Sequence, residues 1–228
     1  MNEQKSGFLI VNKPVGPTSH DIIAKLRKIT GIKKIGHAGT LDPFASGVLV
    51  VAIGREATKE IGKFVKLDKE YIATLVLGAT SDTYDNEGVK LKVESQKLKV
   101  GIKEVEDVLK RFTGLQKQVP PMFSAKKIGG KKLYELARKG IEVKRESVDI
   151  NVYELELLKY ECPILKIRTK VSSGTYIRSL GHDIGQALGC GAYLDALERT
   201  AVGGFRIEKT VGLDELYQGN WSQSFLII

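Results

Sequence analysis

The chain has 228 residues, 42% hydrophobic and 28% charged, with a net charge of +9. That balance belongs to a folded globular protein, not a disordered tail. Its longest apolar runs, Val48 to Ile53 and Phe225 to Ile228, are too short to span a bilayer, and Met1 to Ser6 lacks the apolar centre of a signal peptide, so membrane and secreted classes are set aside.

Gly7 to Asn12 reads as a strand, stopped by Lys13-Pro14 and Gly16-Pro17. Thr18 or Ser19 can cap a helix from Asp21 to Ile29, whose Ile22, Ile23, Leu26 and Ile29 follow helical spacing. A glycine-punctuated loop from Gly31 to Gly47 leads into a strand, Gly47 to Ile53. Glu56 to Val65 reads as helix and Glu70 to Leu77 as strand. Ser81 to Gly88 is an acidic turn, and Lys103 to Phe112 an amphipathic helix closed by Gly114. Val119 to Phe123 is held extended by Pro120 and Pro121, and a helix from Lys132 to Lys139 ends at Gly140. Val148 to Tyr160 and Ile164 to Val171 alternate as paired strands. Tyr176 to Leu188 reads as a helix, Ala192 to Glu198 as a further helical turn and Asp214 to Tyr217 as a last short helix. Strands and helices do not alternate regularly, which predicts an α+β fold with a mainly antiparallel sheet.

The positive charge is concentrated. Between Ser124 and Arg145, Lys126, Lys127, Lys131, Lys132, Arg138, Lys139, Lys144 and Arg145 face only Glu135 and Glu142, a local excess of eight minus two, or +6. Such density suits phosphate contacts, although a solvated helix face has the same composition. Cys162 and Cys190 are isolated and fit small buried hydrophobes in a reduced cytoplasm. Without zinc spacing, and with His20, His37 and His182 in separate segments, the chain is expected to hold no metal. Ser19-His20-Asp21 is contiguous and cannot form a triad through adjacent side chains, and the glycines around Gly36 match neither a P-loop nor a dinucleotide fingerprint. Asp82 and Asp85 read as a solvated turn rather than a calcium site. One acidic loop stands out. In GHAGTLDPFASG, Gly36 to Gly47, Pro43 holds Asp42 extended on an otherwise nearly uncharged segment. The carboxylate is suited to covalent or acid–base work, and equally to capping a turn.

GHAGTLDPFASGVL (36–49) resembles the catalytic motif of the TruB family of bacterial tRNA pseudouridine-55 synthases. The likeness continues in order: FLIVNKPVGPTSHD (8–21) is similar to that family's Lys-Pro motif, Lys69-Glu70-Tyr71 to its tyrosine-bearing strand, and LGATSDTYDNEG (77–88) to the turn after it. VPPMFSAKKIGGKKLYELARKGI (119–141) resembles its RNA-clasping insertion, and SSGTYIRSLGHDIGQALG (172–189) the motif carrying an arginine beside the catalytic aspartate. The likeness covers about residues 7 to 217.

The resemblance implies a pseudouridine synthase catalytic fold with an RNA-clasping insertion at about 119–145, acting on uridine 55 in the T-arm of tRNA. It assigns Asp42 as nucleophile or base, Tyr71 as a platform whose hydroxyl helps remove the C5 proton, and Arg178 as the guanidinium that keeps Asp42 ionised. His37, Tyr176, Leu197, Lys13, Lys126, Lys127, Lys131 and Lys132 would bind the substrate, with Gly129 and Gly130 letting the clasp move. No cofactor, membrane or obligatory protein partner is expected, and the enzyme would be a cytoplasmic monomer. The chain departs from the family in ending soon after Tyr217, so that 1–228 reads as a single catalytic domain without a C-terminal RNA-binding domain, and in having Thr200 where the family often has an apolar residue. A guide-RNA-dependent synthase of the dyskerin type and a non-catalytic RNA chaperone or binding module are the rival readings. The clasp argues against the first, and Asp42, Tyr71 and Arg178 together argue against the second.

Overall fold

A computed structural model describes residues 6–93, 100–218 and 221–226. In chain order its elements are β1 (Gly7–Lys13), α1 (Ser19–Thr30), β2 (Ile35–Ala38), β3 (Ala45–Ile53), α2 (Arg55–Glu60), α3 (Gly62–Val65), β4 (Lys69–Leu77), β5 (Ala79–Ser81) and β6 (Lys90–Lys92). There follow α4 (Ile102–Arg111), β7 (Gly114–Gln118), β8 (Lys127–Ile128), β9 (Lys131–Lys132), α5 (Leu133–Ala137), β10 (Val148–Glu161), β11 (Ile164–Val171), α6 (Ile177–Ala187), β12 (Ala192–Val202), β13 (Phe205–Arg206) and α7 (Leu213–Gln218). The expected α+β class holds, with sheets that are mostly antiparallel. Among the described residues no helix is long and apolar enough to cross a membrane.

The chain divides into two compact units, one comprising Met1–Tyr71 with Leu197–Ile228 and the other Ile72–Ala196. In the first, β3 pairs antiparallel with β1 along one edge, from Gly7↔Ile53 to Lys13↔Gly47. Its other edge takes β2 antiparallel and Leu197–Arg199 of β12 parallel. Both faces of β3 are covered, which explains its unbroken apolar run. Leu49, Val51 and Ile53 join Leu9, Val11, Ile22, Leu26 and Leu216 on one side, and Val48, Val50 and Ala52 join Phe8, Ile10, Phe64 and Val202 on the other. Helix α1 starts at a capping box, Thr18 with Asp21, and stops at Gly31 in the left-handed conformation. Beyond α7, Trp221 and Phe225 pack against the first cluster, and the Leu226 N–H donates to the Phe8 carbonyl at 2.9 Å.

In the second unit the long strand β10 pairs antiparallel with β11 on one edge and with β7 on the other. Helix α4 buries Val105, Val108 and Leu109, and α6 buries Ile177, Leu180 and Ile184. The short pair β5–β6 brackets the acidic turn.

Three expectations need correction. The loop from Gly31 to Gly47 contains β2 and the start of β3, which leaves 31–34 and 39–44 irregular. Ala192 to Glu198 is strand, not helix: burial alternates through Ala192 and Leu194, slips at Asp195–Ala196, then resumes at Leu197, Arg199 and Ala201. That slip places Leu194 and Leu197 three apart, mimicking helical spacing. Gly114 does not close α4 but opens β7. Gly129 and Gly130, with φ of 57° and 79°, form the two-residue turn between β8 and β9, so their left-handed backbone serves a tight hairpin.

Candidate active site

In the first unit the segment 39–44 carries Asp42, half-buried, between the end of β2 and the start of β3. The segment is fastened at several backbone points. The Ser19 hydroxyl, fully buried at the start of α1, donates to the Leu41 carbonyl (3.1 Å) and accepts from the Leu41 N–H (2.9 Å). The Pro43 carbonyl takes the Gly16 N–H at 2.8 Å and the Lys13 ammonium at 3.4 Å. At the near end, Arg199 Nη2 donates to the Gly39 carbonyl (3.0 Å) while its Nε donates to the Val48 carbonyl (2.7 Å) inside β3. Arg199 is 1% exposed, and its own backbone lies so close to Gly47 that a Cβ there would run into the Arg199 carbonyl oxygen. Gly47 has φ 103°, so both space and conformation demand glycine.

Lys13, expected among the RNA contacts, is a correction. It is 0% exposed, with its ammonium on the carbonyls of Pro14 (2.9 Å), Pro17 (2.8 Å) and Pro43. A charge taken out of water needs such acceptors around it, and here they are the two turns of the Lys-Pro motif and the residue after Asp42. Lys13 therefore acts on the loop from within.

Tyr71 is buried on β4, on the same strand face as Lys69. Lys69 reaches back to the Val65 and Leu67 carbonyls, each at 2.6 Å, and burial together with the Arg199 charge lowers its pKa to about 8. Leu197, 8% exposed, pairs with Ala45 where β3 begins. His37 on β2 is half-buried, edge-on to His20 at 5.5 Å, with Nδ1 buried and without a hydrogen-bond partner among the described residues. Burial first, then the charges of His20 and Arg199, hold its pKa down to about 4, leaving a neutral ring at ordinary pH.

The second unit holds Arg178. Its guanidinium, on α6, donates to the carbonyls of Phe123 (2.7 Å) and Thr83 (3.0 Å) and to Asp85 Oδ2 (3.2 Å). Both side chains of the ion pair are nearly sealed, at 7% and 4% exposure. The turn expected to be solvated is therefore anchored at Asp85, whose other carboxylate oxygen accepts from the Thr83 hydroxyl and the Glu87 N–H. Asp82 does behave as a turn residue, accepting from the Val89 N–H at 2.9 Å.

The first turn of α6 is stitched to the segment entering the clasp. Gln118 and the Tyr176 backbone exchange two hydrogen bonds, at 2.8 and 3.0 Å, and the Ser179 hydroxyl donates to the Val119 carbonyl. Tyr176 and Lys126 line a cavity of about 260 Å³ together with Pro120, Ile150 and Ser173. Lys127 and Lys131 are exposed on the hairpin, whereas the Lys132 ammonium lies over the Tyr134 ring at 5.3 Å. Arg145 turns inward, its side chain 16% exposed and donating to the Pro120 carbonyl, so it closes the base of the clasp. Among the described residues, no three His, Cys, Asp or Glu side chains gather as a metal site would require.

Sequence reasoning missed Ser19, Arg199 and Asp85. Each contacts residues far away in the chain, and only for Ser19, inside the Lys-Pro motif, was there a local signal.

The model of the TruB family pseudouridylate synthase N-terminal domain matches residues 27–177, and that of the tRNA pseudouridylate synthase B C-terminal domain matches 178–225, a span that includes α6, β12, β13 and α7. Proteins named tRNA pseudouridine synthase B are similar to this chain: that of Desulfotalea psychrophila is 49% identical over 91% of this chain and 87% of its own length. That of Protochlamydia amoebophila is 48% identical over 92% and 79%. Among solved structures, a Cbf5-Nop10-Gar1 complex superposes with a TM-score of 0.75 at 34% identity, covering 96% of this chain and 55% of that one. An H/ACA RNP bound to a substrate RNA containing 2′-deoxyuridine gives 0.69 at 31%, covering 94% and 53%. The present chain thus spans about half the length of those two structures. The motifs in order, a family model over more than half the residues and relatives at nearly half identity lead to one assignment: the chain belongs to the TruB family of pseudouridylate synthases.

Proposed function

We propose that the protein is a tRNA pseudouridine synthase that isomerises uridine 55 in the T-loop. The observation that carries this reading is the near-half identity, across nine tenths of the chain, to enzymes named tRNA pseudouridine synthase B. The fastened loop around Asp42 agrees with it, because a catalytic carboxylate works best on a segment that does not reorganise. In the reaction the N1–C1′ bond of uridine breaks, the base rotates, and a C5–C1′ bond forms. The C5 proton is lost and N1 gains one, so electrons balance without an oxidant or a cofactor.

In this reading Asp42 is the catalytic carboxylate, Arg178 the catalytic cation, and Tyr71 the ring on which the extruded base stacks, with its hydroxyl assisting removal of the C5 proton. His37, neutral at working pH, offers a flat ring to a displaced nucleotide without repelling or attracting its phosphate. Tyr176 and Leu197 are apolar walls. Lys126, Lys127, Lys131 and Lys132 grip phosphate, which positions the RNA without reading its sequence. Lys13 fastens the Asp42 loop. The enzyme acts as a cytoplasmic monomer without an obligatory protein partner.

A guide-RNA-dependent reading has the likeness to the Cbf5-Nop10-Gar1 complex behind it. Incubating the purified chain alone with an unmodified tRNA transcript, then mapping pseudouridine at nucleotide resolution, separates the two. Modification at position 55 without guide or partner is expected. Activity only with a guide RNA and added proteins would support the rival, and RNA binding without any isomerisation would support a binding module.

A further inference from the structure

Arg178 and His182 lie one helical turn apart on α6 and so on the same face. The acidic turn meets this face at three consecutive residues. Thr83 offers its carbonyl and Asp85 its carboxylate to the Arg178 guanidinium. Between them, Tyr84 sends its ring to His182, stacked at 4.0 Å between centroids and 18° between planes. For its two neighbours to converge on one guanidinium, Tyr84 adopts φ 64°, and among the described residues it alone is a non-glycine with positive φ. A side chain in that region persists only when the surroundings over-determine it. Here the surroundings are the ring stack and two backbone bonds, from the Tyr84 N–H to the Ser81 carbonyl (3.1 Å) and from the Leu194 N–H to the Tyr84 carbonyl (3.0 Å).

His182 is half-buried, and its buried Nδ1 has no hydrogen-bond partner among the described residues, so its ring face carries its contact with the turn. Burial also lowers the pKa of His182.

We propose that Tyr84 and His182 are positioning residues that hold the turn in register so that Thr83 and Asp85 fix the Arg178 guanidinium for the isomerisation. Neither touches the reacting atoms. The proposal rests on the reading of Arg178 as the catalytic cation given above.

The test is steady-state kinetics on a tRNA transcript, with thermal melting of each variant. Tyr84→Gly removes the ring while relieving the backbone, so strain and stacking separate. Its kcat is expected to fall about ten- to hundredfold, the scale of a misplaced catalytic group, with KM and melting close to wild type. His182→Ala should produce the same fall, and the double variant no more than either alone, because the two rings act as one device. Tyr84→Phe and His182→Phe, which keep a stacked pair, should stay within about twofold of wild type. A normal kcat for Tyr84→Gly and His182→Ala, or a change confined to KM, overturns the proposal. Should His182→Ala fail to fold, Tyr84→Gly and His182→Phe decide alone. Arg178→Ala runs alongside: if it keeps full kcat, the reading of Arg178 has failed, whereas its loss beside normal ring variants overturns only the positioning role.

Discussion

The Asp42 loop and the turn around Asp85 are both irregular segments that hold a carboxylate in place, but the fasteners differ in kind. The first is held by its backbone: Ser19, Lys13 and Arg199 end on the amides and carbonyls of Gly39, Leu41 and Pro43. The second is held by the carboxylate, which bonds Arg178, Thr83 and Glu87. Bonds that end on backbone remain in place when the side chain at the tip is exchanged. Where the side chain is the fastener, structure and identity cannot be separated.

The sharpest way to break that contrast is to change each carboxylate in turn. Asp42→Asn should lose turnover by at least about 10²–10⁴-fold, the range for a positioned acid–base group, while RNA binding and melting stay near wild type. Asp85→Ala should instead destabilise the fold by about 3–5 kcal/mol, because it removes a carboxylate paired with a buried guanidinium. Denaturant melts and single-turnover assays on both variants check the pair. If Asp42→Asn unfolds as readily as Asp85→Ala, the contrast is wrong.

Ser19→Ala sharpens the first half. It removes both side-chain bonds to Leu41 and should cost about 1–3 kcal/mol, with a fall in kcat and little change in KM. A loss of stability at full kcat would mean that the loop keeps its shape without that pin.

A smaller effect is expected at Asp183, half-buried on α6, whose carboxyl is raised from 3.8 to about 6 by desolvation. The folded state then holds the proton more tightly than the unfolded chain between those values, so stability falls as pH rises through the window. Asp183→Asn removes that fall. It should be more stable than wild type by about 1–2 kcal/mol at pH 7.5, after discounting for solvent around a part-exposed group, and no more stable at pH 4. Melting curves at the two pH values give the sign directly.

The weakest effect on the chemistry belongs to the clasp. Neutralising Lys127 and Lys131, the exposed pair on the hairpin, should lower the slope of log K against log salt by roughly 0.7–0.9 for each phosphate no longer paired with a lysine, with turnover at saturating tRNA nearly unchanged. An unchanged slope would make the hairpin a solvated face.

The elements and the Asp42 loop were largely legible because they are local: apolar period, caps and the Gly-and-Pro punctuation lie within a few residues of what they specify. Asp85 was not, since its partner is 93 residues away and an acidic Ser-Asp-Thr-Tyr-Asp run has the composition of a solvated turn. Lys13 misled for a related reason. The resemblance placed it among the substrate contacts, and only the carbonyls of Pro17 and Pro43 explain its burial. The strand β12 was misread because a one-residue slip at Asp195–Ala196 writes a helical interval into an extended segment.

Arg199 imposes an order on synthesis. The contacts of the unit Ile72–Ala196 lie within one continuous stretch of chain, so they can form as soon as that stretch leaves the ribosome. The Asp42 segment emerges earlier yet must wait for a residue 160 positions beyond Gly39 before the Gly39 carbonyl is held. The N-terminal strand β1 waits longer still, for Phe225 to cover Gly7 and for Leu226 to bond Phe8. A nascent chain arrested just before residue 197 therefore carries Asp42 on a loop lacking the Arg199 pin, and emergence of β12 supplies it.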